Sequence, residues 1–170
     1  MSIYAEIEAH LRSGRLIMFE PSDEIRAHRV PMSLRRTVYV TPEIMEFLKS
    51  DQYLAAETDA DIADIALGER FDVALGENHV YCRMARLMPS SDEVWEIRIY
   101  DTTPNLRFFG RFADRDVFVI LIGPISRIGK TLRWNSLKSS CISSWNTLFT
   151  YSPVQSGDDI DDYLSNVDSV

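Results

Sequence analysis

The chain has 170 residues, 45% of them hydrophobic and 26% charged, with a formal charge of −8. That is the mix of a soluble globular protein, not of a disordered or fibrous one, and it provides for one domain with a core or one domain plus an appendage. The longest apolar run, Val117 to Ile122, is too short to cross a bilayer, and acids stand where a signal peptide needs cations, so a cytoplasmic protein is expected.

Ser2 followed by Ile3, Ile7 and Leu11, then Gly14, predicts an N-capped amphipathic helix with a glycine stop. Arg15 to Phe19 reads as a short strand, residues 23–36 as irregular and moderately basic, and Thr37 to Val40 as a second short strand. Thr41-Pro42-Glu43 is a helix start: a capping hydroxyl, a proline at the first helical position and an acid at the positive helix end. A second acidic helix is expected from Thr58, burying Ile62, Ile65 and Ala66, and resuming after Gly68 through Phe71, Val73 and Leu75.

From residue 79 the period changes to two. His79 to Leu87 is a strand candidate. Val94 to Tyr100 sets Trp95, Ile97 and Ile99 against Glu96, Arg98 and Tyr100. Leu106 to Phe112 sets Leu106, Phe108, Gly110 and Phe112 against Arg107, Phe109 and Arg111. Val117 to Ile122 is fully apolar, as a central strand is. Short turns between them predict an antiparallel meander. Trp134, Leu137, Cys141, Trp145 and Leu148 recur at three and four, the stripe of a long C-terminal helix. The expected fold is therefore α+β: N-terminal helices packed on a small antiparallel meander sheet, followed by a long C-terminal helix. Residues 1–150 would form this domain, and 151–170 a loosely held acidic tail.

The charge is segregated. Residues 42–77 carry −8, residues 98–138 carry +5 and residues 139–170 carry −5. One reading is a set of solvated faces, with the arginines paired to acids of 42–77 or 158–162. The other is an anion-binding surface inside an acidic shell. Gly123 to Thr131 imitates a phosphate-binding loop but has five residues between its glycines instead of four, and Pro124 lacks an N–H, so nucleotide hydrolysis is not favoured. No Cys/His cluster accompanies Cys82 and Cys141, and neither a metal nor a cofactor is expected.

Arg98, Arg107 and Arg111 on adjacent strands, with Arg127, Lys130 and Arg133 in the next loop and helix start, could line a groove for a phosphodiester, because the guanidinium fork pairs with phosphate. An RNA held there needs little protein nucleophile. Its 2′-hydroxyl can attack the neighbouring phosphate while cations stabilise the developing charge.

The segment from Phe71 to about Lys130 resembles the RelE/HigB-like superfamily of toxin–antitoxin ribonucleases, including its phage-derived branch. The resemblance rests on Arg86-Leu87, on Val94-Trp95-Glu96-Ile97-Arg98-Ile99, on Leu106-Arg107-Phe108-Phe109-Gly110-Arg111-Phe112 and on Asp116 to Gly123. It implies a RelE-like part over about 41–150 and a metal-independent mRNA endoribonuclease or ribosome-binding toxin, neutralised by an antitoxin protein. Arg98 and Arg107 match the sheet arginines of that family, and Arg127 and Lys130 stand where its phage-derived branch has a basic loop. On this reading Arg98, Arg107 and Lys130 are the catalytic candidates, and Arg111, Arg127 and Arg133 bind RNA. The second reading is a catalytically inactive fold member, an interaction module of mobile-element origin whose basic face receives an acidic protein segment.

Overall fold

The computed structural model describes residues 2–28, 35–50, 53–76, 81–126 and 131–170, the side chains of 131 and 132 excepted. Its helices are α1 (Ile3–Ser13), α2 (Asp23–Ala27), α3 (Pro42–Leu48), α4 (Tyr53–Ala66) and α5 (Thr131–Leu148). Its strands are β1 (Ile17–Met18), β2 (Thr37–Val40), β3 (Asp72–Ala74), β4 (Met84–Arg86), β5 (Trp95–Ile99), β6 (Leu106–Asp114), β7 (Val117–Ile125) and β8 (Asp168–Ser169).

The signals at the ends of α1 act as read, whereas the Thr41 hydroxyl makes no capping hydrogen bond to α3 and α4 starts at Tyr53 instead of Thr58. The Ser2 hydroxyl accepts from Ala5 N at 3.3 Å, and Gly14 closes α1 at φ 71°, in the left-handed region. Pro42 opens α3. The sheet is larger than the meander and differently built. All eight strands form one mixed sheet in the order β1-β2-β7-β6-β5-β4-β3-β8. Strands β4 to β7 pair antiparallel in sequence, but β2 joins β7 in parallel, and β3 is parallel to both β4 and β8.

This corrects the expected small antiparallel meander carrying N-terminal helices and followed by a long C-terminal helix. Helices cover both faces of a broad mixed sheet, an α/β/α layering. The reason lies in the added strands. They are two to four residues long, too short for a period-two signal, and the parallel pairings of β2 with β7 and of β3 with β8 join segments distant in sequence. Phe71 to Leu75, expected as helix, contains β3 instead. There Val73 and Ala74 are fully buried between β4 and β8, where a β-branched residue fits.

One face packs Trp95, Ile97, Phe108, Phe112, Phe118 and Ile120 against Ile44 and Leu48 of α3 and Ile62 and Ile65 of α4. The other packs Tyr39, Phe109, Val117, Val119 and Leu121 against Ile7 of α1 and Cys141, Trp145 and Phe149 in and after α5. The alternation along β6 and β7 sorts side chains between these two cores.

The C-terminal segment is built into the first core, contrary to a loose tail. Ile160, Tyr163 and Leu164 are buried there. Tyr163 stacks on Trp95 with ring centroids 4.7 Å apart and on Phe112 at 5.4 Å. Buried Arg36 ties the same segment to α4. Its guanidinium donates to the carbonyls of Ile65 and Glu69 at the end of α4, and of Ser165 and Asn166. The Ile65 carbonyl is one of the groups that a helix C-terminus leaves unsatisfied. Among the described residues no helix is long and apolar enough to cross a membrane.

Candidate functional site

The face of β5 and β6 that carries the arginines is the one that α5 covers. Glu96 is the residue around which they organise, and it is fully buried. Arg98 stands two residues along the same strand, and register places it opposite Arg107 on β6. Arg98 Nε donates to Glu96 Oε1 at 2.5 Å, and Arg107 Nη1 donates to Glu96 Oε2 at 2.6 Å. One carboxylate thus takes a guanidinium on each oxygen, which satisfies a charge that burial alone would make very costly. Arg98 Nη1 also donates to Cys82 Sγ at 3.2 Å. Burial pulls the Arg98 guanidinium towards deprotonation, but Glu96 outweighs it and the pKa rises. Burial pushes the Cys82 thiol up, with Arg98 pulling the other way, so this cysteine is held as a thiol.

Arg111 lies deeper. Its Nε donates to the Glu93 carbonyl at 3.3 Å and its Nη2 to the Asp92 carbonyl at 2.6 Å, while the guanidinium lies 5.5 Å from the Trp145 ring centroid. Burial lowers its pKa. These partners belong to a helical turn at Ser90–Asp92, so Arg111 pins that turn beneath α5.

Arg107 is the outer member of the set. Its side chain is 31% exposed, and its guanidinium lies 5.6 Å from the Trp134 ring centroid. The opposite residue on β7 is Ile125, and Arg133 is exposed in the first turn of α5. The structure therefore brings Arg98, Arg107 and Arg111 to one face, with Arg107 at its outer edge against Trp134 of α5. Arg127 and Lys130 lie outside the described residues. Among the described residues, the carboxylate that Arg98 and Arg107 share comes from neither acidic segment considered from sequence. It is Glu96, on the same strand as Arg98.

A second buried polar cluster went unread in the sequence. The Tyr163 hydroxyl donates to Glu93 Oε2 at 2.8 Å and accepts from Arg86 Nη1 at 3.0 Å and Gly157 N at 2.6 Å. Burial and the Glu93 bond push its pKa up to about 12, which suits a structural hub and not a proton donor near neutrality. Its only sequence signal was an aromatic among aspartates. Among the described residues no group of three or more His, Cys, Asp and Glu side chains could hold a metal ion. Comparisons with protein-family models, with curated proteins and with solved structures find no match to this chain.

Proposed function

We propose that this protein is a non-enzymatic interaction module whose cationic rim, Arg107 with Arg133, receives an acidic protein segment. The observation that carries the proposal is the placement of Arg107. It is half-exposed, aimed by Glu96 and held over Trp134, so its outer edge is fixed before any partner arrives. A guanidinium held in this way discriminates by geometry as well as charge.

The reading as an mRNA-cleaving toxin asks several guanidiniums to meet one phosphodiester. Arg98 and Arg111 have internal partners, which favours a rim that binds over a groove that cuts. A chain of net charge −8 also repels a long polyanion more than a short acidic peptide. Both described cysteines are buried and unpaired, which supports a reducing compartment such as the cytoplasm.

The test is fluorescence anisotropy of the intact chain with a labelled glutamate-rich peptide and, separately, a labelled single-stranded RNA. The expected result is saturable peptide binding that weakens about tenfold when Arg107→Ala and Arg133→Ala are combined, with the RNA neither retained nor cut. Cleavage of the RNA, or RNA binding with the peptide ignored, overturns the proposal in favour of the toxin reading. Failure to bind either ligand overturns it outright.

A further inference from the structure

Helix α1 buries two ionisable side chains against the end of α5. Glu6 is 5% exposed and His10 4%. Glu6 Oε1 accepts from the N–H groups of Thr150 at 3.0 Å and Tyr151 at 3.2 Å, and the Ser152 side chain bonds the same carboxylate. His10 Nε2 lies 2.5 Å from the Leu148 carbonyl oxygen, and its ring stands edge-on to Phe149, with centroids 5.6 Å apart.

Each side chain has a second polar atom that is buried and has no hydrogen-bond partner among the described residues: Glu6 Oε2 and His10 Nδ1. A carbonyl oxygen only accepts, so Nε2 carries the ring proton of neutral His10 and Nδ1 is left as a bare acceptor. An ionised Glu6 Oε2 is an acceptor as well. Neither atom satisfies the other until a proton arrives. Residues four apart on a helix are neighbours, and the His10 charge acts on the Glu6 carboxyl. We infer that this pair is a proton-operated clasp: a proton taken up at His10 Nδ1 gives Glu6 Oε2 the donor it lacks and tightens the hold of α1 on the end of α5. The inference uses none of the residues proposed above to receive a partner.

A buried imidazolium is costly unless a carboxylate compensates it. Against the pull of burial, the bonds from residues 150–152 hold the Glu6 carboxyl below the ordinary value of 4.5, so it is ionised throughout the range in which histidine charges. The other ionisable groups of this core keep their charge there. Burial raises the pKa of Tyr39 on β2 and pushes the Cys141 thiol on α5 up to about 12. Arg111 lies over the Trp145 ring as a guanidinium, and Arg12 and Arg15 at the end of α1 are exposed. The added hold is therefore present on the acid side of the histidine range and is lost as pH rises and Nδ1 gives up its proton.

The clasp joins two walls of a cleft of about 410 Å³ between the ends of α1 and α5 and the start of α3. Arg15 lines one wall, and its N–H donates to the His10 carbonyl at 2.9 Å. Leu148, which His10 Nε2 bonds, lines the other. One proton thus sets how firmly the two walls are held together.

The experiment combines amide hydrogen exchange with nitrogen NMR of the His10 ring, on the intact chain at about pH 8 and about pH 5.5. The ring shifts should show Nε2–H alone at the higher pH and a second N–H, at Nδ1, at the lower. The protection factors of the Thr150 and Tyr151 amides, whose acceptor is Glu6, should rise about tenfold from the higher pH to the lower. His10→Gln keeps an N–H for Leu148 but takes no proton, and Glu6→Gln keeps an acceptor but no charge. Both should lose that rise. Protection that is level or falls at the lower pH, a rise while the His10 ring stays neutral, or the same rise in either variant overturns the inference. Where a variant does not fold, the ring shifts and the protection factors of the unaltered chain decide.

Discussion

Arg98 and Arg107 lie directly opposite one another across β5 and β6, and a single buried carboxylate, that of Glu96, separates their charges. Two guanidiniums side by side repel, so this pairing exists only because Glu96 accepts from both. Removing that carboxylate by Glu96→Ala takes from buried Arg98, and from Arg107, the acceptor they share. The expected loss is about 3–5 kcal/mol in urea unfolding, the range for a broken buried pair. Replacing Glu96 and Arg98 together by Leu and Met should recover most of it. A loss below about 1 kcal/mol for Glu96→Ala would show that water reaches the pair.

Gly110 lies where β6 leaves no room for a side chain against β7. A Cβ added there would lie 2.1 Å from the Val119 carbonyl oxygen and 2.8 Å from the Phe118 ring. The backbone atom cannot swing away as a flexible side chain could. Gly110→Ala should cost about 1–3 kcal/mol or more, as overpacking does, and lower the melting temperature. An unchanged melting curve would show that the strands separate without cost at this point.

The C-terminal segment offers a cleaner test of its anchor. Tyr163→Phe keeps the ring packing against Trp95 and Phe112 but removes the hydroxyl that Glu93, Arg86 and Gly157 share. Denaturant titration should register a loss of about 1–3 kcal/mol from the polar groups left unpaired. Tyr163→Ala should lose more, because it also opens a cavity. Equal losses in the two variants would assign the anchoring to the hydroxyl alone.

Glu6 gives the protein an acid limb to its stability. Burial tends to raise the pKa of its carboxyl from the ordinary value of 4.5, but hydrogen bonds from Ser152 and from the N–H groups of Tyr151 and Thr150 outweigh it, and the net direction is down. A carboxyl whose folded value lies below its unfolded one binds more protons in the unfolded chain. Its contribution is complete above the unfolded value of 4.5 and is lost as pH falls through the lower, folded value. Glu6→Gln should therefore flatten the fall in melting temperature below that point and lower stability at neutral pH. A parallel fall in both proteins would remove Glu6 from the account.

Cys141 reports on whether α5 stays docked. It is fully buried, and burial pushes its thiol pKa up to about 12. Iodoacetamide should modify it only as fast as the helix lifts or the protein unfolds. Reaction at the rate of an exposed thiol in native buffer would show that α5 is not held against β6 and β7.

These residues show how far a single sequence carries. Ser2 caps through a hydroxyl three residues from its partner, Gly14 and Pro42 act through their own backbone, and the alternation in β5 and β6 is local, so these helix ends and the two faces of those strands were readable. Which face lies under α5 was not, because coverage depends on the whole topology. The partners of Arg111 are two backbone carbonyls about twenty residues away, and backbone carbonyls leave no compositional trace. Glu96 and Arg98, two apart on one strand, share a face by period alone. The pair was visible as a juxtaposition, but nothing local marked the carboxylate as buried. Tyr163 and Ile160 stood out only as apolar exceptions in an acidic stretch, too few to set a period.

The outermost strands of the sheet, β1 and β8, are two residues long. A visiting chain that added itself alongside would find main-chain groups for little more than a single exchange of hydrogen bonds, where strand addition needs a longer run. The brevity of these two strands thus disfavours indiscriminate edge-to-edge association at both margins. With strand addition disfavoured at both edges, side-chain substitutions are a more direct means of altering which partner it accepts than changes to strand length or register.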